Sequence, residues 1–178
     1  MAQPMEGVEP VGSFQQTDFE DFSPLITELV KYADKIGESF DNAELNKRIC
    51  SVLFKRVNDA AGEVKILRQL KDDYSLFFKK RENYPNFYGF VKTIEKIKTF
   101  IMDVSQLQGA HKFFDKYRSS EFSMDKIFRN HIDDFEKYAD ALNNASDGRL
   151  NFGKSKDDQK IKDEEAISKD MQDIENVI

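Results

Sequence analysis

Between Phe40 and Leu67 the chain reads FDNAELNKRICSVLFKRVNDAAGEVKIL, and Leu45, Ile49, Leu53, Val57, Ala60, Val64 and Leu67 recur at steps of three and four. That period describes one face of an α-helix, because residues three and four apart stack above one another. The same spacing returns in Leu25, Leu29, Tyr32, Ile36 and Phe40, and again in Phe87, Phe90, Val91, Ile94, Ile97, Ile101 and Val104. It returns once more in Phe122, Ile127 or Phe128, Ile132, Phe135, Tyr138 and Leu142. No segment alternates apolar and polar residues as a half-buried strand must. A chain patterned this way can build a core only by laying helix on helix.

The stop and start signals set the expected boundaries. Ser23-Pro24 offers a helix cap followed by proline at the first helical position, so a first helix is expected from there to Phe40. Asp41 and Asn42 then supply a break and a new cap for a long second helix reaching Phe78. Pro85 disfavours helix at Tyr84, which places the third helix from about Asn86 to a stop near Gly109. After the aromatic piece HKFFDKY and Ser119-Ser120-Glu121, a fourth helix is expected to run to about residue 146, and Asn143 to Gly153 reads as a linker. The expected fold class is all-α: an antiparallel four-helix bundle with crossings of about 20° and one further C-terminal helix.

That last helix, residues 157–178, carries only Ile161, Ile167, Met171, Ile174 and Ile178 on a heavily charged body. Such a sparse stripe predicts a helix lying across the bundle and outside its core. The expected division is a flexible acidic segment over 1–22, the bundle over 23–147, a connection over 148–156 and the last helix over 157–178. The pattern runs to Ile178 without a stop signal, which predicts a longer parent protein continuing beyond it.

Charge narrows the function classes. The chain of 178 residues has a net charge of −6, which argues against a dedicated nucleic-acid binder. The sum conceals a partition, since residues 1–22 hold five acids and no base while residues 23–118 hold 18 bases against 13 acids. Cys50 is the only cysteine, so no intramolecular disulfide can form, and its place on the border of the stripe predicts a small buried hydrophobe. The amino-terminal segment lacks the cationic and apolar regions of a secretory signal, and no apolar run approaches the ~18 residues that span a bilayer. A soluble, cytoplasmic protein is expected.

Catalytic and metal chemistry find little to work with. His111 and His131 are the only histidines, there is no glycine-rich phosphate loop, and His131 with Asp133-Asp134 does not converge on one helix face. No catalytic residue, metal ligand or cofactor is expected. The one surface feature with a direction is cationic. Lys47, Arg48, Lys55 and Arg56 form two basic pairs about two turns apart, joined by Lys79, Lys80 and Arg81 at the far end of the second helix and by Lys92, Lys96 and Lys98 on the third. Such an edge suits an anionic lipid surface or an acidic partner, and it also suits an ordinary solvated helix face with Glu44 and Asp59 nearby.

The runs NKRICSVLFKRVNDAAGEVKIL and YPNFYGFVKTIEKIKTFIMDVSQLQGAHKFFD, followed by a fourth helix and a charged last one, resemble the N-terminal helical domain of fungal protein kinases. That domain is similar to the four-helix bundle of the mixed-lineage kinase domain-like protein, the executioner of necroptosis, and to HeLo-type cell-death domains. The resemblance implies a bundle restrained by a brace helix ahead of a kinase or pseudokinase domain. It implies self-association, and binding of anionic phospholipid through Lys47, Arg48, Lys55, Arg56, Lys92, Lys96 and Lys98. It makes Ile161, Ile167, Met171, Ile174 and Ile178 the brace contacts, and implies recruitment to the plasma membrane on activation. The alternative is an adaptor, a protein-interaction and oligomerisation module that regulates an attached kinase without membrane activity.

Overall fold

The computed structural model describes residues 16–117, 123–153 and 157–177. Among them lie seven helices and no strand: α1 (Phe19–Asp41), α2 (Lys47–Gln69), α3 (Ser75–Lys79), α4 (Asn83–Val104), α5 (Leu107–Tyr117), α6 (Met124–Ala145) and α7 (Asp157–Val177). The lead-in before residue 16, the expected fourth-helix start at Ser119-Ser120-Glu121 and Phe122, and Ile178 fall outside the described residues.

The first helix begins earlier than Ser23-Pro24 predicts. Asp18 accepts the N–H groups of Glu20 and Asp21, and Asp21 accepts the N–H of Asp18, a reciprocal pair that starts α1 more strongly than a serine alone. Pro24 therefore lies inside α1, where its missing N–H leaves only the carbonyl of exposed Glu20 to water. The expected long second helix is also two pieces. After Gln69, the N–H groups of Asp73, Tyr74 and Ser75 reach carbonyls three residues back, and α3 follows. Exposed Asp72 and Asp73 favour such turns over a helix interior. The change of direction has a consequence for the core, because it turns Phe77 and Phe78 against Phe22, at 5.9 and 5.1 Å between ring centroids.

Pro85 starts a helix rather than ending one. It lies in the first turn of α4, where its N–H would have no helical partner in any case. At the other end α4 stops at Val104, and the aromatic piece expected as a connection is the helix α5. Gly109 lies within α5, and a Cβ there would sit 2.2 Å from the Asp103 carbonyl oxygen, so the close approach of α5 to the end of α4 needs glycine. At Gly89 a Cβ would lie 2.5 Å from the Tyr138 ring of α6, so a larger residue there would require that side chain to shift.

In the packing, α1 lies against α2 and α4, α4 against α6, and α7 against both α2 and α6. Leu53, Val57, Ile94, Ile97, Ile101 and Phe135, all on expected inward faces, are fully buried in one core. Cys50 is buried there too, and burial pushes its thiol pKa up to about 12. Two expectations change. The segment after α6 is not a simple linker, because Leu150 and Phe152 are core residues and Asn143 clamps Phe152 by accepting its N–H at 2.8 Å and donating to its carbonyl at 3.0 Å. Nor does α7 stay outside the core, since Ala166 and Ile167 belong to it.

Candidate functional site

The buried stripe of α7 is Asp163, Ala166, Ile167, Asp170 and Ile174, with Met171 half-buried beside it. These positions follow the helical steps of three and four, but two of them are aspartates. Of the expected brace contacts, Ile167, Met171 and Ile174 lie on this stripe. Ile161 does not; it is 60% exposed, because a face defined by Asp163, Ile167 and Asp170 turns it toward solvent. A search for apolar residues alone misplaces the face by including Ile161 and passing over the acids.

Three arginines hold the acids of α7. Arg56, on α2 and only 7% exposed, grips Asp163 with both terminal nitrogens, at 2.7 and 3.2 Å, and reaches Glu136 on α6 at 3.4 Å. Gln159 donates a further hydrogen bond of 3.0 Å to the Asp163 carboxylate. Nearer the start of α2, Arg48 contacts Asp170 at 3.0 Å and Asp173 at 2.7 Å. On α6, Arg129 forms a fork with Glu164 at 2.7 and 2.8 Å and also pairs with Asp125 one turn earlier, at 2.8 Å. The hydrogen bonds to Arg129 hold the Glu164 carboxyl below the usual carboxylate range.

Asp170 has a second task. The cap position of α2 is Asn46, whose φ of 58° and lack of a side-chain capping bond leave the first turn without help. The Asn46 amide instead donates to the Val104 carbonyl at 2.7 Å, tying the α1–α2 connection to the end of α4. Asp170 fills the gap from another helix by accepting the Ile49 N–H at 2.8 Å. Burial raises the pKa of this carboxyl, while the Ile49 N–H and Arg48 oppose the rise. A carboxylate at a helix N-terminus that begins Lys47-Arg48 meets both the backbone dipole and the cations.

The residues of the expected cationic edge differ in burial and pairing. Arg56 is buried rather than on the surface, whereas Lys47, Arg48 and Lys55 are exposed, Arg48 with its guanidinium paired to Asp170 and Asp173. On α4, Lys92 pairs with Glu95 at 3.3 Å and lies over the Tyr88 ring, Lys98 lies over the Tyr32 ring at 4.9 Å, and Lys96 is exposed. Both helices pack against α1. Arg129 and Glu136 were not legible as site residues, since Glu164 and Arg56, which they meet in the site, lie on other helices.

No protein-family model, curated protein or solved structure matches the chain. Among the described residues, no group of three or more His, Cys, Asp or Glu could hold a metal ion, and no helix is long and apolar enough to cross a membrane.

Proposed function

We propose that this chain is the helical effector module of a kinase-like signalling protein, an antiparallel four-helix bundle of α1, α2, α4 and α6 braced by α7. It self-associates and binds anionic membranes to execute or signal regulated cell death. The observation that carries the reading is that α7 occupies Arg48, Arg56 and Arg129 with its own carboxylates. These are the groups an anionic surface would also seek, so docking of α7 and engagement of lipid by the arginines compete. A half-apolar, half-ionic stripe suits such a restraint. Burial of Ala166, Ile167 and Ile174 favours docking, while the ordering and desolvation of charged groups oppose it.

The adaptor reading draws support from one feature. Arg56 is buried and held by both oxygens of one carboxylate, a geometry suited to a protein helix laid in a groove. Vesicle binding separates the two. On the membrane reading the chain sediments with vesicles of phosphatidylcholine containing phosphatidylserine, does not sediment with phosphatidylcholine alone, and loses binding as salt rises. Absence of binding to either vesicle favours the adaptor.

A further inference from the structure

Two helices of this fold take a carboxylate at their first turn from another segment. In α2 the Ile49 N–H is accepted by Asp170 of α7 at 2.8 Å, while Asn46 at the cap position makes no side-chain capping bond. In α5 the Leu107 N–H is accepted by Glu44 at 2.8 Å, and Glu44 belongs to the connection between α1 and α2. The first N–H groups of a helix have no partner within it, so each first turn depends on the segment that supplies the oxygen. The two dependences are joined in series through residues 42–46.

That connection is gripped at both ends. Toward α2, the Cys50 N–H reaches the Asn46 carbonyl at 3.0 Å, one residue past the N–H that Asp170 accepts. Toward α4, the N–H groups of Glu44 and Leu45 both reach the Ser105 carbonyl, at 2.7 and 3.3 Å, and the Asn46 amide donates to the Val104 carbonyl at 2.7 Å. Gln106 adds a bond of 3.2 Å to the Asn42 carbonyl. The interior of the connection works against this order. Asn46 holds a left-handed backbone, φ 58°, which costs any residue with a side chain, asparagine less than most. Asn46 Oδ1 and Ser105 Oγ are buried with no hydrogen-bond partner among the described residues, a further cost. Such a segment keeps its shape through what holds its ends. One of those holds is the first turn of α2, and Asp170 of α7 is bonded to that turn.

We propose that docking of α7 is coupled to the order of the start of α5 through this connection. With Asp170 in place, the first turn of α2 keeps residues 42–46 on the end of α4 and Glu44 on the Leu107 N–H. When α7 leaves, α2 loses its borrowed cap, the connection loosens, and the first turn of α5 loses Glu44. Release of the last helix is thereby transmitted to the corner where α5 packs on α4 and α6. The coupling belongs to the docked chain and holds whether release serves a lipid surface or a protein partner.

Amide hydrogen exchange on the full chain tests the coupling in both directions, because a coupling free energy is reciprocal. Asp170→Ala should quicken exchange about tenfold at Glu44 and at Ala110 as well as at Ile49, while amides in the middle of α4 keep their rates. Ala110 reports on α5 because its N–H closes the first turn on the Gln106 carbonyl, at 2.8 Å. Glu44→Ala, a change at an exposed side chain, should in turn quicken Ile49 by a similar factor. Glu164→Ala serves as the control, since it breaks only the ion pair with Arg129 and leaves the Asp170 cap in place. Exchange at Glu44 and Ala110 should then stay within about twofold of the parent, as loss of an exposed pair predicts. The coupling is overturned if Asp170→Ala quickens Ile49 and leaves Glu44 and Ala110 unchanged, or if Glu44→Ala leaves Ile49 unchanged. Equal quickening of Ala110 by Glu164→Ala also overturns it, because general loosening of α7 and not the cap would then be the cause. If Asp170→Ala does not fold, the response of Ile49 to Glu44→Ala decides.

Discussion

Arg56 shows what a residue's neighbours in sequence can and cannot say. Beside Lys55 and eight residues after Arg48, it reads as part of a surface edge, yet its partner Asp163 is separated from it by 107 positions. Helical spacing fixes the face on which a residue stands but not what a distant helix brings to that face. His131 is a similar case, read from its acidic neighbours when its environment is set by burial and by the Phe100 ring at 5.2 Å. Burial lowers its pKa from 6.5 to about 4, with Asp134 opposing the shift and Lys96 assisting it. Between those values the unfolded chain binds a proton that the folded chain refuses. The contribution of His131 is therefore fully present above the unfolded pKa and is lost as pH falls toward the folded one, by about 3 kcal/mol in total. Urea unfolding across that interval should show a smaller loss of stability for His131→Gln than for the parent; equal losses would mean that the imidazole is not neutral in the fold.

Among the elements, the inward faces of α1, α2, α4 and α6 were legible because each is apolar at a regular helical step. Their ends were less so. Pro24 and Pro85 each admit two readings, since proline is tolerated within a first turn or just past it, and an aspartate pair such as Asp18 with Asp21 outweighs the serine signal. The face of α7 was partly legible: Ile167, Met171 and Ile174 are apolar, whereas Asp163 and Asp170 become interior residues only when paired. Asp170 also caps α2 across the helix–helix boundary, so the two elements support each other. Replacing it, Asp170→Ala, should cost about 1–3 kcal/mol, the loss of a capping and charge-assisted hydrogen bond. Hydrogen exchange should quicken at the Ile49 amide more than at amides in the middle of α4. Unchanged exchange at Ile49 would show that the first turn of α2 does not depend on α7.

For the whole molecule, α7 joins α2 to α6, and its two ends differ in kind. Before it, the Asn143–Phe152 clamp and the burial of Leu150 and Phe152 fix the chain to the core. Along it, ionic pairs of graded exposure, from Arg56 with Asp163 to Arg129 with Glu164, hold a stripe of limited apolar area. Beyond the clamp, α7 joins the core shared by α1, α2, α4 and α6 through Ala166 and Ile167. The central claim is that the docked α7 restrains membrane activity. Dye release from phosphatidylserine-containing vesicles tests it most directly, comparing the full chain with Met171→Asp and Ile174→Asp combined, which place charge on the docking stripe. The account predicts that the variant, still helical by circular dichroism, leaks vesicles and self-associates more readily than the parent. Leakage and light scattering indistinguishable from the parent, with α7 shown by hydrogen exchange to be undocked, would contradict it.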